Sequence, residues 1–175
     1  MIRALALPFM GLAAIGLILS LLVHLSALLG FASPLGEGAW LLHPGIFVVW
    51  IPAVLVLQRL SRDFTQRELW QAALRGCPPW MRWMTYGFFA YALLNFAAFL
   101  LLGPGRNGAG TTPSVVFRGF SGHWMAFYSA ALAIFYSALH ADEHDELRRC
   151  PAGHRVSPLA RYCERCGQAV HETPR

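Results

Sequence analysis

Ala4 to Leu29 reads ALALPFMGLAAIGLILSLLVHLSALL, an apolar run interrupted only by Pro8, Gly11, Gly16, Ser20, His24 and Ser26, with no charged residue in it. At about 1.5 Å per helical residue, such a run crosses a hydrocarbon core of about 30 Å with length left for tilt. Gly30-Phe31-Ala32, just after it, has the small-x-small pattern of a cleavage site. The apolar region of a cleaved leader spans only about 7–15 residues, so the run is read as an uncleaved transmembrane helix.

Three further runs follow outward along the chain: Trp40 to Leu57, Trp83 to Leu102 and Ser121 to His140. Each is close to the roughly 17–25 residues that a spanning helix needs. Pro44 falls in the first turn of the second run, where a missing N–H costs little, whereas Pro52 lies inside it and is expected to kink the helix. Composition agrees: 56% of the 175 residues are hydrophobic and 13% charged, against about 25% charged in soluble domains. A soluble globular enzyme and a disordered tail are both excluded. The expected fold class is an all-α integral membrane protein with four transmembrane helices, 4–29, 40–57, 83–102 and 121–140, forming a domain over residues 1–140. No repeat of 20–50 residues, phosphate-binding glycine loop or nucleophile elbow is present.

A net charge of +5 and a pI near 9.4 could suggest a nucleic-acid partner. The fourteen cations, all arginine, instead flank the apolar runs, twelve in alternate segments on one side and two (Arg106 and Arg118) on the other. The arginine-rich side is the cytoplasmic one, so both termini are expected inside, in a bacterial cytoplasmic (inner) membrane, and nucleic acid is not the expected partner. On that side, Ser61 to Arg75 reads as a short surface helix, with Thr65-Gln66-Arg67-Glu68 as its capping box and Trp70, Ala73 and Leu74 at helical spacing. It could rest on anionic headgroups or pack on the tail. Trp80 and Trp83 then re-enter at headgroup level. The outer loop 103–114 is rich in glycine and proline and carries no assigned role.

After a linker, 141–149, the tail 150–175 holds Cys150, His154, Cys163 and Cys166, a C-x3-H-x8-C-x2-C spacing that uses three of the chain's four cysteines. Two tight turns presenting two soft ligands each can supply the tetrahedron that zinc takes. Residues 150–167 resemble the short zinc-ribbon modules appended to many bacterial membrane and regulatory proteins. Cys163, Cys166 and Gly167 match the second knuckle, Tyr162 the usual aromatic, and Val156 and Pro158 the connection. Gly153 stands where such modules usually carry a second cysteine, and His154 follows it, so the resemblance implies a Cys3His variant holding structural zinc. Disulfides are rare in the reducing cytoplasm, and a redox role for Cys163-x-x-Cys166 lacks the surrounding strand–helix unit.

Polar residues inside a bilayer are costly and invite functional readings. Counted inward from the outer boundaries, His24 lies about 9 Å and Asn95 about 10 Å deep, with His43 and His123 near the start of inward-going spans. Three imidazoles at comparable depth could ligate copper, zinc or a haem iron with Asn95 as a supporting partner, could carry protons, or could simply bridge helices. His140-Ala141-Asp142-Glu143-His144 spells H-x-x-E-H, but no room remains for a peptidase fold around it. Ala126, Ala130, Ala133, Gly11 and Gly16 read as packing seams, and the many aromatics of the third and fourth runs as core or lipid-facing, with a quinone-like ligand conceivable among them.

The expected function is therefore that of a membrane-anchored interaction or regulatory protein whose structural zinc ribbon recruits a cytoplasmic partner or supports a homo-oligomer. No catalytic reaction is identified. The alternative is a metal-, haem- or redox-handling membrane protein that works through His24, His43 and His123.

Overall fold

A computed structural model describes residues 2–61, 68–102, 113–144, 150–154, 156 and 160–170. Five α-helices order the chain: α1 (Ile2–Leu28), α2 (Leu42–Leu60), α3 (Leu69–Leu74), α4 (Pro79–Leu102) and α5 (Pro113–His144), with a 3-10 helix, Gly36–Leu41, leading into α2. Among the described residues there is no strand, and one isolated antiparallel bridge joins Tyr162 to Ala169. The all-helical expectation holds. The capping box proposed at residues 65–68 and the outer loop 103–114 lie largely outside the described residues, and the last two residues of that loop belong to α5.

Prolines set several of the boundaries. Pro79 and Pro113 are the first residues of α4 and α5, where the fixed φ suits a helix and the absent N–H would have had no partner. Both helices consequently start earlier than the hydropathy alone suggests, α5 by eight residues. Pro8 and Pro52 lie within α1 and α2, and both helices continue through them.

Three segments are long and apolar enough to cross a membrane: Ala6–Leu28, Gly36–Leu60 and Pro79–Leu101. Many of their leucines, isoleucines and phenylalanines face outward. Leu12, Ile15 and Ile18 on α1, Phe47, Val48 and Ile51 on α2, and Phe89, Leu93 and Leu94 on α4 are all exposed. A surface of that kind is stable where the solvent is hydrocarbon. The longest helix, α5, has the opposite character: it packs against α1, α2, α3 and α4 and buries Trp124, Met125, Tyr128, Ala131, Ile134, Phe135 and three serines, Ser121, Ser129 and Ser137. It is less apolar than the others because its side chains face protein.

Small residues let this central helix approach its neighbours, as expected in a bilayer where apolar burial alone gives little preference for helix over lipid. Tyr128 is the clearest case. Its ring passes between Gly16 of α1 and Gly45 of α2, and its hydroxyl donates to the Leu42 carbonyl at 2.9 Å. A Cβ on Gly16 would overlap the ring itself, and one on Gly45 would lie 2.6 Å from the hydroxyl oxygen. Hydroxyls within the helices are satisfied locally: Ser20 donates to the Gly16 carbonyl at 2.7 Å and Thr85 to the Met81 carbonyl at 2.9 Å, so neither is an unpaired polar group in an apolar medium.

The short helix α3 is a packing element. Ala72, Ala73 and Leu74 are buried, while Trp70 stays exposed on the other side. The turn after it is latched to α5, with the Gly76 amide donating to Ser137 Oγ at 3.0 Å and the Cys77 thiol to the Ala133 carbonyl at 3.1 Å. Arg82, one turn into α4, closes the same turn by donating to the Cys77 and Arg75 carbonyls. The helical part of the segment 61–75 packs on α5 and α2, a place that neither the headgroup reading nor packing on the tail describes.

Candidate metal centre

Two tight turns build the tail. In the first, the Gly153 amide donates to the Cys150 carbonyl at 2.7 Å and the Cys150 amide to the His154 carbonyl at 3.0 Å. In the second, the Gly167 amide donates to the Cys163 carbonyl at 2.8 Å and the Cys163 amide to the Gln168 carbonyl at 2.8 Å. Gly153 and Gly167 have φ of 79° and 70°, a left-handed conformation that a Cβ disfavours. The glycine that stands in place of a second cysteine in the first turn therefore has its own job: it reverses the chain so that the following residue, His154, faces Cys150.

The result is a set of four donors, Cys150 Sγ, His154 Nδ1, Cys163 Sγ and Cys166 Sγ, all within 4.8 Å of one another. Cys150 Sγ lies 3.6 Å from His154 Nδ1 and 3.6 Å from Cys166 Sγ, and Cys163 Sγ lies 3.8 Å from His154 Nδ1. For metal–sulfur bonds of about 2.3 Å and metal–nitrogen bonds of about 2.0–2.1 Å, the edges of a regular tetrahedron are about 3.8 Å between sulfurs and about 3.6 Å from sulfur to nitrogen. The observed separations match those edges, so a metal ion fits this cluster. It is the only group of three or more candidate ligands that lies this close among the described residues.

Burial raises the Cys163 thiol, but the amide N–H groups of Cys166 and Arg165 and the neighbouring thiols outweigh it and bring the group down to about 6. The anionic form that a metal requires is thus favoured at Cys163, whereas at Cys166 the lowering by the Gln168 backbone is outweighed by burial and by the Cys163 and Cys150 thiols, and that group is raised. The fourth cysteine, Cys77, belongs to a different setting. Burial pushes its thiol up to about 11 against the opposing pull of the nearby Arg82 guanidinium, and it serves as a hydrogen-bond donor to α5 rather than as a ligand.

The polar residues of the long helices do not all meet. His24 is buried and uses both ring nitrogens: Nδ1 is hydrogen-bonded to Ser121 Oγ at 2.7 Å on α5 and Nε2 to the Tyr91 hydroxyl on α4. It ties three helices together. Asn95 donates from Nδ2 to the Arg118 carbonyl at 2.8 Å and the Gly119 carbonyl at 3.3 Å, joining α4 to α5. His43 and His123 do come together, with His123 Nε2 3.3 Å from His43 Nδ1. The His140 ring stacks on Tyr136 with centroids 4.1 Å apart and donates from Nδ1 to the Tyr136 carbonyl, while the side chains of residues 141–144 in the H-x-x-E-H stretch lie outside the described residues.

Sequence reading did not find the partners of His24, since Tyr91 and Ser121 sit on other helices and nothing local marks them. The seat of Tyr128 was half legible: Gly16 stands out as a seam, but Gly45 and the tyrosine do not. Comparisons with protein-family models, with curated proteins and with solved structures return no match to this chain. The tail therefore carries a Cys3His metal-binding arrangement by its own geometry, on a helical bundle with three helices apolar enough to span a membrane.

Proposed function

We propose that this chain is a membrane-anchored interaction protein whose C-terminal tail is a zinc ribbon that captures a cytoplasmic partner. The observation that carries the reading is the closed four-donor cluster at Cys150, His154, Cys163 and Cys166. Three thiolates and one imidazole fill a tetrahedron and leave no open position for a substrate, which is the mark of a structural site. Zinc suits this donor set because it tolerates soft and borderline ligands without redox change. A tail of this size cannot bury enough apolar surface to fold unaided, so the metal supplies its folding free energy.

The tail also presents a surface. Tyr162 is 65% exposed, and Arg161, Glu164 and Arg165 beside it are exposed too. A large aromatic held rigidly at the edge of a small module, with arginines around it, has the composition of a contact patch.

In this reading α5 is the fourth span. It packs against all three of the apolar helices, and its lower apolarity follows from facing protein on most sides. The asymmetry of twelve arginines against two puts both ends of the chain in the cytoplasm, where thiols stay reduced and available to metal. The bilayer is that of a bacterial inner membrane, and the tail's partner is a cytoplasmic protein or a second copy of the chain.

The test compares full-length protein with variants, by cross-linking in intact cells followed by purification in detergent. Removal of residues 148–175 is expected to abolish a defined cross-linked species while leaving insertion intact. Tyr162→Ala and Arg165→Glu should weaken it with metal content unchanged. Persistence of the same species without the tail overturns the proposal.

A further inference from the structure

We propose that Cys166 is a peroxide-sensitive modification site, and that its oxidation joins it to Cys150 in a disulfide and releases the metal from the tail. The inference rests on the ribbon reading above and adds a regulation to it. Accessibility singles the residue out. Cys150 and Cys163 are each 3% exposed, whereas Cys166 is open to solvent. A metal ligand is held as a thiolate, and a solvent-accessible thiolate beside a second cysteine is the form that an oxidant attacks. Cys77 is buried and donates its thiol hydrogen to the Ala133 carbonyl, so it takes no part.

The resolving partner is adjacent. Cys150 Sγ, which comes from the other turn of the tail, lies 3.6 Å from Cys166 Sγ. Cys163 is the competing choice, but its sulfur accepts from the amide N–H groups of Cys166 and Arg165, which hold it in place and draw on the lone pairs that an attack would use. The backbone around it is tied as well, through the Gly167 amide to the Cys163 carbonyl and the Cys163 amide to the Gln168 carbonyl, both at 2.8 Å. A bond between Cys163 and Cys166 has to form within that tied turn. One between Cys150 and Cys166 links two turns and leaves the bonds inside each of them in place.

The chemistry has two steps, with hydrogen peroxide as the oxidant. The Cys166 thiolate attacks one peroxide oxygen, the O–O bond breaks, hydroxide leaves and a sulfenic acid forms. The Cys150 thiolate then attacks the Cys166 sulfur, the S–O bond breaks, a second hydroxide leaves and the disulfide forms. The two sulfurs lose two electrons, the peroxide gains them, and two protons from solvent turn the hydroxides into water. Cys163 and His154 are the two donors left, and two donors do not close a tetrahedron. The metal leaves, and with it the folding free energy that holds Tyr162 and Arg165 on their turn. A dithiol reverses the change by exchange, taking up the oxidising equivalents as its own disulfide. A transient disulfide of this kind is the sort that a reducing cytoplasm permits.

The test treats zinc-loaded, full-length protein in detergent with hydrogen peroxide, follows zinc release with a colorimetric indicator, and maps the disulfide by mass spectrometry after trypsin. Cleavage after Arg149, Arg155, Arg161 and Arg165 puts Cys150, Cys163 and Cys166 on three separate peptides, so the linked pair is read directly. Zinc release in step with a Cys150–Cys166 link is expected, reversed by dithiothreitol and added zinc. Cys166→His, which keeps a zinc donor but removes the oxidisable sulfur, should slow release roughly tenfold or more, while Cys163→His should release zinc and form the same link as the unaltered chain. Absence of zinc before peroxide is added refutes the ribbon and this inference with it. Zinc that is present but stays bound under peroxide, a link through Cys163 instead of Cys150, or equal release from Cys166→His overturns this inference alone.

Discussion

The seat of Tyr128 between two glycines gives a prediction in which a single oxygen atom separates two outcomes. A methyl group added at Gly16 meets the edge of the tyrosine ring, whereas one added at Gly45 meets the hydroxyl oxygen at 2.6 Å and the nearest ring carbon, Cζ, only at 3.9 Å, an ordinary contact. The ring cannot retreat from either side, since the opposite glycine and the bond to the Leu42 carbonyl hold it. Overpacking of this kind costs about 1–3 kcal/mol, and the gain in helix propensity from glycine to alanine offsets up to about 1 kcal/mol. Gly16→Ala and Gly45→Ala are therefore each expected to destabilise the bundle by up to about 2 kcal/mol net. Tyr128→Phe removes the hydroxyl and loses its hydrogen bond, a change of about 0.5–1.5 kcal/mol. In the Tyr128→Phe background Gly45→Ala should become neutral or slightly stabilising, while Gly16→Ala should cost what it did before. Reversible unfolding in mixed detergent micelles, followed by circular dichroism and tryptophan fluorescence, measures all six chains. If the two glycine substitutions respond alike to Tyr128→Phe, within about 0.5 kcal/mol, the packing argument for α5 as the central helix fails.

Other outcomes follow from the tail and its thiols. His154→Ala should lower zinc affinity by roughly two to three orders of magnitude, as one of four ligands in a site of about 10–16 kcal/mol is lost, whereas His154→Cys should retain zinc; competition with a zinc indicator reads both. Alkylation at pH 8 should leave zinc-loaded protein nearly unmodified, label three cysteines after chelation and the fourth only on denaturation, because Cys77 is buried with its thiol near 11. Raising the pH toward 10 should speed Cys77 labelling about tenfold per unit, as its thiolate fraction grows; an equal rate for all four cysteines in folded, chelated protein would contradict its placement. Zinc affinity should weaken as the pH falls, and more steeply below about 6, where Cys163 joins the other thiols in taking up a proton, because protons compete with metal for thiolates. The sign is that of a depressed acid: binding-competent above, lost below.

Much of the scaffold could be read from residue order. The run at residues 4–29 announces α1 because no soluble fold tolerates twenty-six such residues in succession, and the second and third runs do the same for α2 and α4. The start of α5 was missed by eight residues, since the aromatic and polar residues from Ser114 to Phe120 look unlike a lipid-facing segment until α5 is seen to be surrounded by protein. The tail was legible as a ligand set because metal coordination acts over a few residues: Cys150 with His154, and Cys163 with Cys166, are each brought together by one turn. Gly153 and Gly167 could be read as turn residues, but that Gly153 swings His154 into line needed its φ of 79°.

The histidines of the long helices divide along the same physical boundary. Depth along a helix follows from counting residues, so the sequence alone gave His24, His43 and His123 a similar level in the bilayer. Which face each side chain takes, and which helix lies opposite, depends on how α1, α2 and α4 are arranged around α5, and no periodicity encodes that. The tertiary structure sent His24 to Ser121 and Tyr91, and set His43 against His123. Composition and spacing thus determined the apolar helices and the four tail donors, each a property of contiguous chain. Packing decided the central helix, the seat of Tyr128 and the pairing of histidines, because those arise from contacts between residues about 70 to 110 positions apart.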